Sequence, residues 1–81
     1  MSIIERLQPI FSKVIGAAPS DVTMESTRDQ FEKWDSWAHL DLVMEIEAEF
    51  GCSLSMEETT GVKSVRDFVT IISSKTGQAQ V

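Results

Sequence analysis

Hydrophobic residues in the first segment of the chain recur with the spacing of an amphipathic helix. They occupy Ile3, Ile4, Leu7, Phe11, Val14 and Ile15. This spacing places all six on one helical face, and Ser2 and Gly16 are in position to cap and to end the helix. Pro9 lies within the pattern, and an interior proline costs about 3 kcal/mol because it removes a backbone hydrogen bond. Since the pattern continues beyond Pro9, we expect one kinked helix; the alternative is a regular helix that begins only near Pro9.

Residues 17–35 have the composition of a loop, with proline, serine, threonine and aspartate and few apolar positions. A connection of this length in a small domain is usually functional or held to the core by a few buried side chains. The candidates for such anchors are Val22, Met24 and Phe31. Residues 20–23 are compatible with one short turn.

The next hydrophobic pattern predicts a second helix with Ser36 in its first turn. Either Asp35 or Ser36 is in position to cap its N-terminus, and Gly51 is a favourable residue for its end. The predicted buried stripe consists of Trp37, Leu40, Val43 and Phe50, widened by Met44 and Ile46. Residues spaced in this way form the core-facing side of a surface helix.

Two tryptophans flank Ser36 and are interpreted differently. Trp37 falls on the predicted stripe of the second helix and is expected to anchor it in the core. Trp34 precedes the helix and is expected to be partly exposed as a contact residue. His39 lies off the stripe, so we expect a half-exposed surface side chain.

Another side of the second helix carries carboxylates at every fourth position. Like charges at this spacing cost a few tenths of a kcal/mol each, so the row is not expected to stabilise the helix, and it is ordinarily a solvated face. Because the row shares a helix with Ser36, we predict that it docks a basic partner, which charges of one sign would attract and orient. The predicted partner-binding residues are Asp41, Met44, Glu45, Glu47, Glu49, Glu57 and Glu58.

Two further helical segments are predicted after the second helix. Ser55 and Glu58 have the spacing of a capping box, and Thr59, Thr60 and Gly61 limit this segment to about one turn. A last helix begins at Ser64, and its predicted buried stripe is Val65, Phe68, Val69 and Ile72. Residues from about 74 to 81 are expected to form a frayed tail. The sequence therefore predicts an all-α bundle of three principal helices and one short helix, with a long first loop.

The composition fits one small domain and excludes several functions. The chain has 81 residues and a net charge of −6, so it lacks the excess of Lys and Arg that binding to nucleic acid requires. Its single cysteine, Cys52, forms no internal disulfide, and no Cys/His spacing indicates a metal site. The sequence has no apolar run long enough to span a membrane and no visible secretory signal. We expect a cytoplasmic monomer.

Ser36 is the residue most indicative of chemistry. A serine at a helix start is usually only a cap, but this one follows Asp35 at the end of the long loop. Asp35 would repel a phosphate, so a modifying enzyme that recognises Asp35 and Ser36 together explains the pair better than phosphate affinity does. Asp35, Ser36 and His39 superficially supply an acid, a hydroxyl and a base. No oxyanion site and no Gly-x-Ser-x-Gly turn accompany them, so a hydrolase is not predicted.

Taken together, these residues resemble the acyl carrier protein family, whose Asp-Ser-Leu motif begins the second of four helices. The matching residues are Asp35-Ser36-Trp37, Leu42-Val43-Met44, Glu47, Glu49-Phe50-Gly51, Glu57-Glu58 and Ser64-Val65-Arg66-Asp67-Phe68. The resemblance covers about residues 3–73. It implies a four-helix acyl-carrier-like bundle over residues 1–81 and a carrier that is not itself an enzyme.

The resemblance also implies the site. Ser36 would receive a 4′-phosphopantetheine arm from coenzyme A through a phosphopantetheinyl transferase that recognises Asp35. The arm would hold acyl intermediates as thioesters for ligases, synthases or acyltransferases of fatty-acid, polyketide or related biosynthesis. The acyl pocket or core implied by the resemblance consists of Trp37, Leu40, Val43, Ile46, Phe50, Val62, Phe68 and Ile72.

The chain departs from the family pattern in ways that indicate a specialised pathway. Trp37 replaces the usual leucine, Ala38, His39 and Ala48 thin the charged face, and Pro9 is atypical of the first helix. Two alternatives remain open. One is an aminoacyl or peptidyl carrier with the same arm, although the Gly-Gly usual before the serine is absent from this chain. The other is an unmodified acidic helical adaptor.

Overall fold

Four α-helices build the part of the chain that the computed structural model describes, residues 2–77. They are α1 (Ile3–Ile15), α2 (Ser36–Phe50), α3 (Met56–Thr60) and α4 (Val65–Thr76). Within this part the chain forms no strand, and its one β-bridge joins the first loop to the residue before α4. The predicted all-α fold of three principal helices, one short helix and a long first loop is confirmed. None of the helices described is long and apolar enough to cross a membrane.

Helix α1 continues through Pro9 as one helix. Its N-terminus is fixed by a capping box in which Ser2 Oγ accepts from the Glu5 N–H at 3.3 Å and the Glu5 carboxylate accepts from the Ser2 N–H at 3.0 Å. The helix ends at Gly16, whose φ of +70° lies in the left-handed region that favours glycine. The prediction of one continuous helix between Ser2 and Gly16 is confirmed, and the alternative start near Pro9 is wrong. The kink expected at Pro9 stays a prediction.

Helices α1, α2 and α4 enclose a common core together with buried residues of the connecting loops. The side chains that are completely or almost completely buried are Ile3, Leu7, Phe11, Val22, Leu42, Ile46, Val62, Val65, Phe68, Val69 and Ile72. The predicted stripe of α4 is therefore confirmed. In α1, Ile10 is buried in addition, whereas Ile4 and Val14 are only partly buried against the core.

Helix α2 has the predicted length but a different orientation about its axis. Its buried residues are His39, Leu42 and Ile46. The predicted stripe is wrong for Trp37, Leu40 and Met44, which are exposed, and only partly right for Val43 and Phe50, which are half-buried. The physical reason is that the imidazole of His39, fully hydrogen-bonded, packs in the core, so the stripe through His39 faces inward.

The two tryptophans have exchanged the positions expected of them. Trp34 is only 3% exposed and lies in the core, whereas Trp37 is 78% exposed. The expectation of a buried Trp37 and a partly exposed Trp34 is wrong. Trp34 is accommodated inside because its indole N–H finds an acceptor in His39, 3.0 Å away.

The long first loop is held against the bundle along its length. It contains two 3-10 helices, Pro19–Asp21 and Arg28–Gln30. The anchor predicted at Val22 is fully buried, and those at Met24 and Phe31 are partly buried against the core. The loop is also tied to the start of α4, since the Arg28 N–H donates to the Lys63 carbonyl at 2.8 Å and the Val65 N–H to the Ser26 carbonyl at 2.9 Å.

The last two helices begin as the sequence predicts. Ser55 Oγ accepts from the Glu58 N–H at 3.1 Å and the Glu58 carboxylate accepts from the Ser55 N–H at 2.9 Å, which forms the predicted capping box. Helix α4 is capped by Ser64 and extends to Thr76. Residues 74–76 therefore belong to its last turn and not to a frayed tail, and residues 78–81 lie outside the described part of the chain.

Candidate functional site

The hydroxyl of Ser36 is exposed at the first position of α2 and is not used as a helix cap. The cap is Asp35, whose Oδ1 accepts from the Ala38 N–H at 2.9 Å. The sequence left the choice between Asp35 and Ser36 open, and the structure assigns it to Asp35. Ser36 Oγ makes no hydrogen bond to any other group within residues 2–77, so it is accessible to a modifying enzyme.

The backbone just before Ser36 is fixed by the buried Trp34. The Trp34 N–H donates to the Phe31 carbonyl at 3.0 Å, and Arg28 Nε donates to the Trp34 carbonyl at 3.2 Å. The Trp34 ring packs edge-on against Phe11 with centroids 5.1 Å apart. These contacts hold the end of the long loop to the core, so that Ser36 is presented from a defined backbone position.

His39 does not serve as a base for Ser36, because both of its ring nitrogens are hydrogen-bonded elsewhere. Trp34 Nε1 lies 3.0 Å from His39 Nδ1, and His39 Nε2 lies 2.8 Å from the Thr59 carbonyl oxygen. An indole N–H only donates, so Nδ1 is the acceptor and Nε2 carries the proton that is donated to Thr59. Burial lowers the pKa of His39, and the positive charge of Arg28 lowers it further, although the Thr59 carbonyl opposes both. The imidazole is therefore a neutral connection between α2 and α3.

Ser36 borders a cleft of about 310 Å³ between the first half of α2 and α3. The residues that line it are Arg28, Ser36, His39, Leu40, Met56, Thr59 and Thr60. Arg28 has no ion-pair partner within residues 2–77, and no carboxylate lines the cleft. The cleft therefore brings a positive charge close to the serine in a chain whose net charge is −6.

An exposed apolar surface surrounds the serine, and the sequence analysis missed it. Trp37 is 78% exposed and Met56 is 76% exposed, with Leu40 and Met44 at 50% and 63%. Large apolar side chains grouped on a small domain usually mark a contact surface. The hydrophobic pattern of α2 would have predicted this exposed surface if its buried side had been assigned to His39, Leu42 and Ile46.

Most carboxylates of the predicted partner-binding row have partners inside the molecule. Glu45 pairs with Lys13 and Glu49 with Arg6, each at 3.0 Å, and both pairs join α2 to α1. Glu47 Oε2 accepts from the Leu54 N–H at 2.8 Å. The expectation that the row has no local stabilising role is wrong. Exposed pairs of this kind contribute about 0–1 kcal/mol each.

The remaining acidic residues of the predicted set divide into one paired and two unpaired side chains. Glu58 lies 2.8 Å from Lys75, and this ammonium together with the Ser55 N–H lowers the pKa of Glu58 to about 2. Asp41 and Glu57 are exposed and form no ion pair within the described part of the chain. Within residues 2–77, these two carboxylates and the exposed Met44 are the members of the set whose side chains make neither a salt bridge nor a hydrogen bond.

The residues predicted to form an acyl pocket or core divide between the interior and the surface of the described part of the chain. Ile46, Val62, Phe68 and Ile72 are buried in the core. Val43 and Phe50 are half-buried, with the Arg6 guanidinium 4.2 Å from the centre of the Phe50 ring. Trp37 and Leu40 lie on the outer surface, so their assignment to an interior pocket is wrong.

The described residues contain no candidate metal site. They contain no group of three or more His, Cys, Asp or Glu side chains that could hold a metal ion. Cys52 is half-buried and has a free thiol. The exposed hydroxyl of Ser36, beside the cleft and the apolar surface, remains the candidate functional group.

Comparison with known proteins identifies the family. No family model matches the chain. Individual curated proteins do match it, among them several that are named acyl carrier protein. The chain is 32% identical over 75 residues to the acyl carrier protein of Thermotoga maritima, with 93% of both chains covered. It is 32% identical over 72 residues to that of Coprothermobacter proteolyticus, which covers 89% of this chain and 88% of the relative.

The chain belongs to the acyl carrier protein family. The protein of Streptococcus pyogenes agrees, with 31% identity over 75 residues that cover 93% of this chain and 97% of the relative. The resemblance stated from the Asp-Ser motif is thereby confirmed over nearly the whole chain, and the family supports a carrier role.

Proposed function

We propose that this acyl carrier protein transports acyl groups as thioesters on a 4′-phosphopantetheine arm attached to Ser36 Oγ. The observation that carries the proposal is an exposed serine hydroxyl at the start of α2 that has no hydrogen-bond partner within residues 2–77, while the neighbouring Asp35 caps the helix. The arm would supply a long flexible linker that ends in a thiol, to which the acyl group is bound.

The residues around Ser36 fit the phosphodiester of such an arm. Ser36 lies at the N-terminal end of α2, where the helix dipole and unpaired backbone N–H groups favour a negative charge. Arg28 lines the same cleft as Ser36 and offsets the repulsion from Asp35. Asp35 therefore has two proposed roles, since it caps α2 and, with Ser36, forms the feature that the phosphopantetheinyl transferase recognises.

We propose that partner enzymes dock on the exposed surface around Ser36. Asp41 and Glu57 would attract a basic partner surface, and Trp37, Met44 and Met56 would supply the apolar contacts. Glu45, Glu47, Glu49 and Glu58 are less available, because each already has a partner in the molecule. The partners would be the transferase and acyl ligases, synthases or acyltransferases of a specialised biosynthetic pathway. The monomeric state and the cytoplasmic location remain predictions.

Intact-mass measurement tests this function. After incubation with coenzyme A and a broad-specificity phosphopantetheinyl transferase, the wild-type chain should gain the mass of one arm, whereas Ser36→Ala should gain none. Ser53→Ala removes another exposed serine, just after α2, and should be modified like the wild type. A wild-type chain that gains no mass from an active transferase would contradict the proposal, and the unmodified helical adaptor would then be favoured.

A further inference from the structure

We propose that the acyl group stays outside the helical bundle of this carrier, which restricts its cargo to short or polar acyl groups. The inference rests on the proposed function, because it assumes an acyl group attached through Ser36. It adds where the acyl group lies. Because that position limits which acyl groups are tolerated, it also adds their chemical class. The evidence is a buried set of four rings next to the serine, formed by Phe11, Trp34, His39 and Phe68, which we call the aromatic cluster.

The aromatic cluster fills the part of the core that lies behind the cleft of Ser36. His39 lines the cleft, and its ring stacks on Phe68 with centroids 5.7 Å apart. Trp34 stacks on Phe68 at 6.2 Å and contacts Phe11 edge-on at 5.1 Å. None of the four rings is more than 8% exposed. An acyl chain that entered the bundle beside Ser36 would have to displace at least one of these rings.

Hydrogen bonds make this displacement unfavourable. Trp34 Nε1 donates to His39 Nδ1 and His39 Nε2 donates to the Thr59 carbonyl, so the cluster is linked from the first loop through α2 to α3. If an alkyl chain separated the rings, the indole N–H would be left buried without an acceptor, because hydrocarbon cannot replace the lost bond. A packing of apolar side chains alone would not impose this barrier.

Helix α3 is also tied down at positions on either side of the cleft. The Glu47 carboxylate of α2 accepts from the Leu54 N–H, two residues before α3 begins, at 2.8 Å. Glu58 of α3 pairs with Lys75 of α4 at 2.8 Å. Together with the bond from His39 to Thr59, these contacts hold α3 between its neighbours. Opening a path between α2 and α3 would break the two that connect α2 to the α3 segment, from the Leu54 N–H to Glu47 and from His39 to Thr59.

The cleft itself provides an open, solvent-exposed position for the cargo, with apolar side chains and one positive charge in its lining. Ser36, Leu40 and Met56 line it and are exposed, and Arg28 contributes a positive charge. A long alkyl chain is stabilised only where its surface is removed from water, and this cleft leaves it in contact with solvent and charge. A short acyl group, or one with polar substituents, tolerates that environment.

The test is to load the carrier with butanoyl, octanoyl and hexadecanoyl groups by the transferase from the corresponding acyl-coenzyme A. Intact mass first verifies loading, so that a failure of arm attachment is distinguished from a failure of this inference. Thermal unfolding then measures Tm. We expect the three loaded wild-type forms to have the Tm of the unacylated arm-bearing form. A Tm that rises with chain length would overturn the inference.

A variant with an opened core completes the design. Trp34→Ala removes the central ring of the aromatic cluster, and we expect its lower Tm to be restored progressively as the acyl chain lengthens. Phe31→Ala removes a half-buried ring at the edge of the cluster, 6.3 Å from Trp34, and should show no such recovery. A folded Trp34→Ala protein without recovery would show that the aromatic cluster is not the barrier.

If Trp34→Ala does not fold, the position of the acyl chain is determined in the wild-type protein. Its hexadecanoyl form is examined by NMR with a 13C-labelled terminal methyl group. We expect no nuclear Overhauser contacts between that methyl group and the ring protons of Trp34 or Phe68. Such contacts would place the chain inside the bundle and refute the inference.

Discussion

His39 shows how a titratable side chain becomes part of a hydrophobic core. Its neutral imidazole accepts from Trp34 and donates to the Thr59 carbonyl, so that no polar ring atom is left unpaired. Protonation of Nδ1 would place an N–H opposite the indole N–H, and the resulting charge would be buried close to Arg28. These effects lower the pKa of His39, so the folded protein favours the neutral form.

A pH dependence of stability follows. The ordinary pKa of His39 is near 6.5 and the folded-state value is lower, so below about pH 6.5 the unfolded chain binds more protons than the folded chain. The stabilising contribution is complete above about pH 6.5 and is lost as the pH falls through the folded-state pKa. Urea unfolding between pH 8 and 5 should show this loss in the wild type, and His39→Gln should reduce it.

The comparison with His39→Gln isolates the histidine, because the chain contains one histidine and the variant keeps every carboxylate. Equal pH slopes for the two proteins throughout this range would contradict the assignment of a neutral, buried His39.

At the scale of the element, the start of every helix and the ends of α1, α2 and α3 could be predicted from the sequence, but the orientation of α2 could not. Serine or aspartate caps and the glycines at positions 16, 51 and 61 mark these boundaries. The stripe of α4 is continuous because all its buried residues are apolar. In α2, the buried stripe includes His39, which is a polar residue and is predicted to be buried only if its hydrogen-bond partners are known. Those partners, Trp34 and Thr59, are five and twenty residues away. The position of Asp35 and Ser36 at the start of α2 was accordingly predictable, because it depends on local sequence, but the burial of Trp34 was not.

The end of α2 gives a prediction about backbone conformation. Gly51 has a φ of +64°, and no atom lies within 4 Å of the position that a Cβ would occupy, so Gly51→Ala is strained by conformation alone. We expect it to lower the free energy of unfolding by about 1–2 kcal/mol, measured by urea denaturation. Gly61 has a φ of −84° and equally open surroundings. Gly61→Ala is the matched control and should be neutral or slightly stabilising; equal losses in the two variants would contradict the argument.

At the scale of the whole molecule, some charged side chains form ion pairs between elements, and others remain exposed without a partner in the described part of the chain. Four exposed ion pairs connect different parts of the fold: Arg6–Glu49, Lys13–Glu45, Arg66–Glu25 and Lys75–Glu58. The sequence shows that acidic residues outnumber basic ones, but not which carboxylates are paired, because most of these partners are more than 30 residues apart. Asp41 on α2 and Glu57 on α3 are exposed and have neither an ion pair nor a side-chain hydrogen bond within residues 2–77.

The distribution of unpaired carboxylates predicts that docking of the transferase depends on the position of a charge on this protein and not only on its net charge. Asp41→Lys should lower kcat/KM of the transferase by roughly fivefold at low ionic strength, and added salt should reduce the difference. Asp21→Lys makes the same change in net charge on the first loop, away from α2 and α3, and should have little effect. Similar losses in both variants would indicate a general field effect in place of a docking surface.

The different surroundings of the two tryptophans give the protein two internal fluorophores with separate uses. The indole of Trp34 is enclosed by other rings and shielded from dissolved quenchers, so its emission reports unfolding. The indole of Trp37 is in water and adjoins Ser36 in sequence, so its emission reports what becomes attached to, or docks beside, that serine. Trp37→Phe would leave Trp34 as the fluorophore that reports unfolding. Trp34→Phe would leave Trp37 as the fluorophore that reports attachment or docking at Ser36, and neither variant requires an external dye.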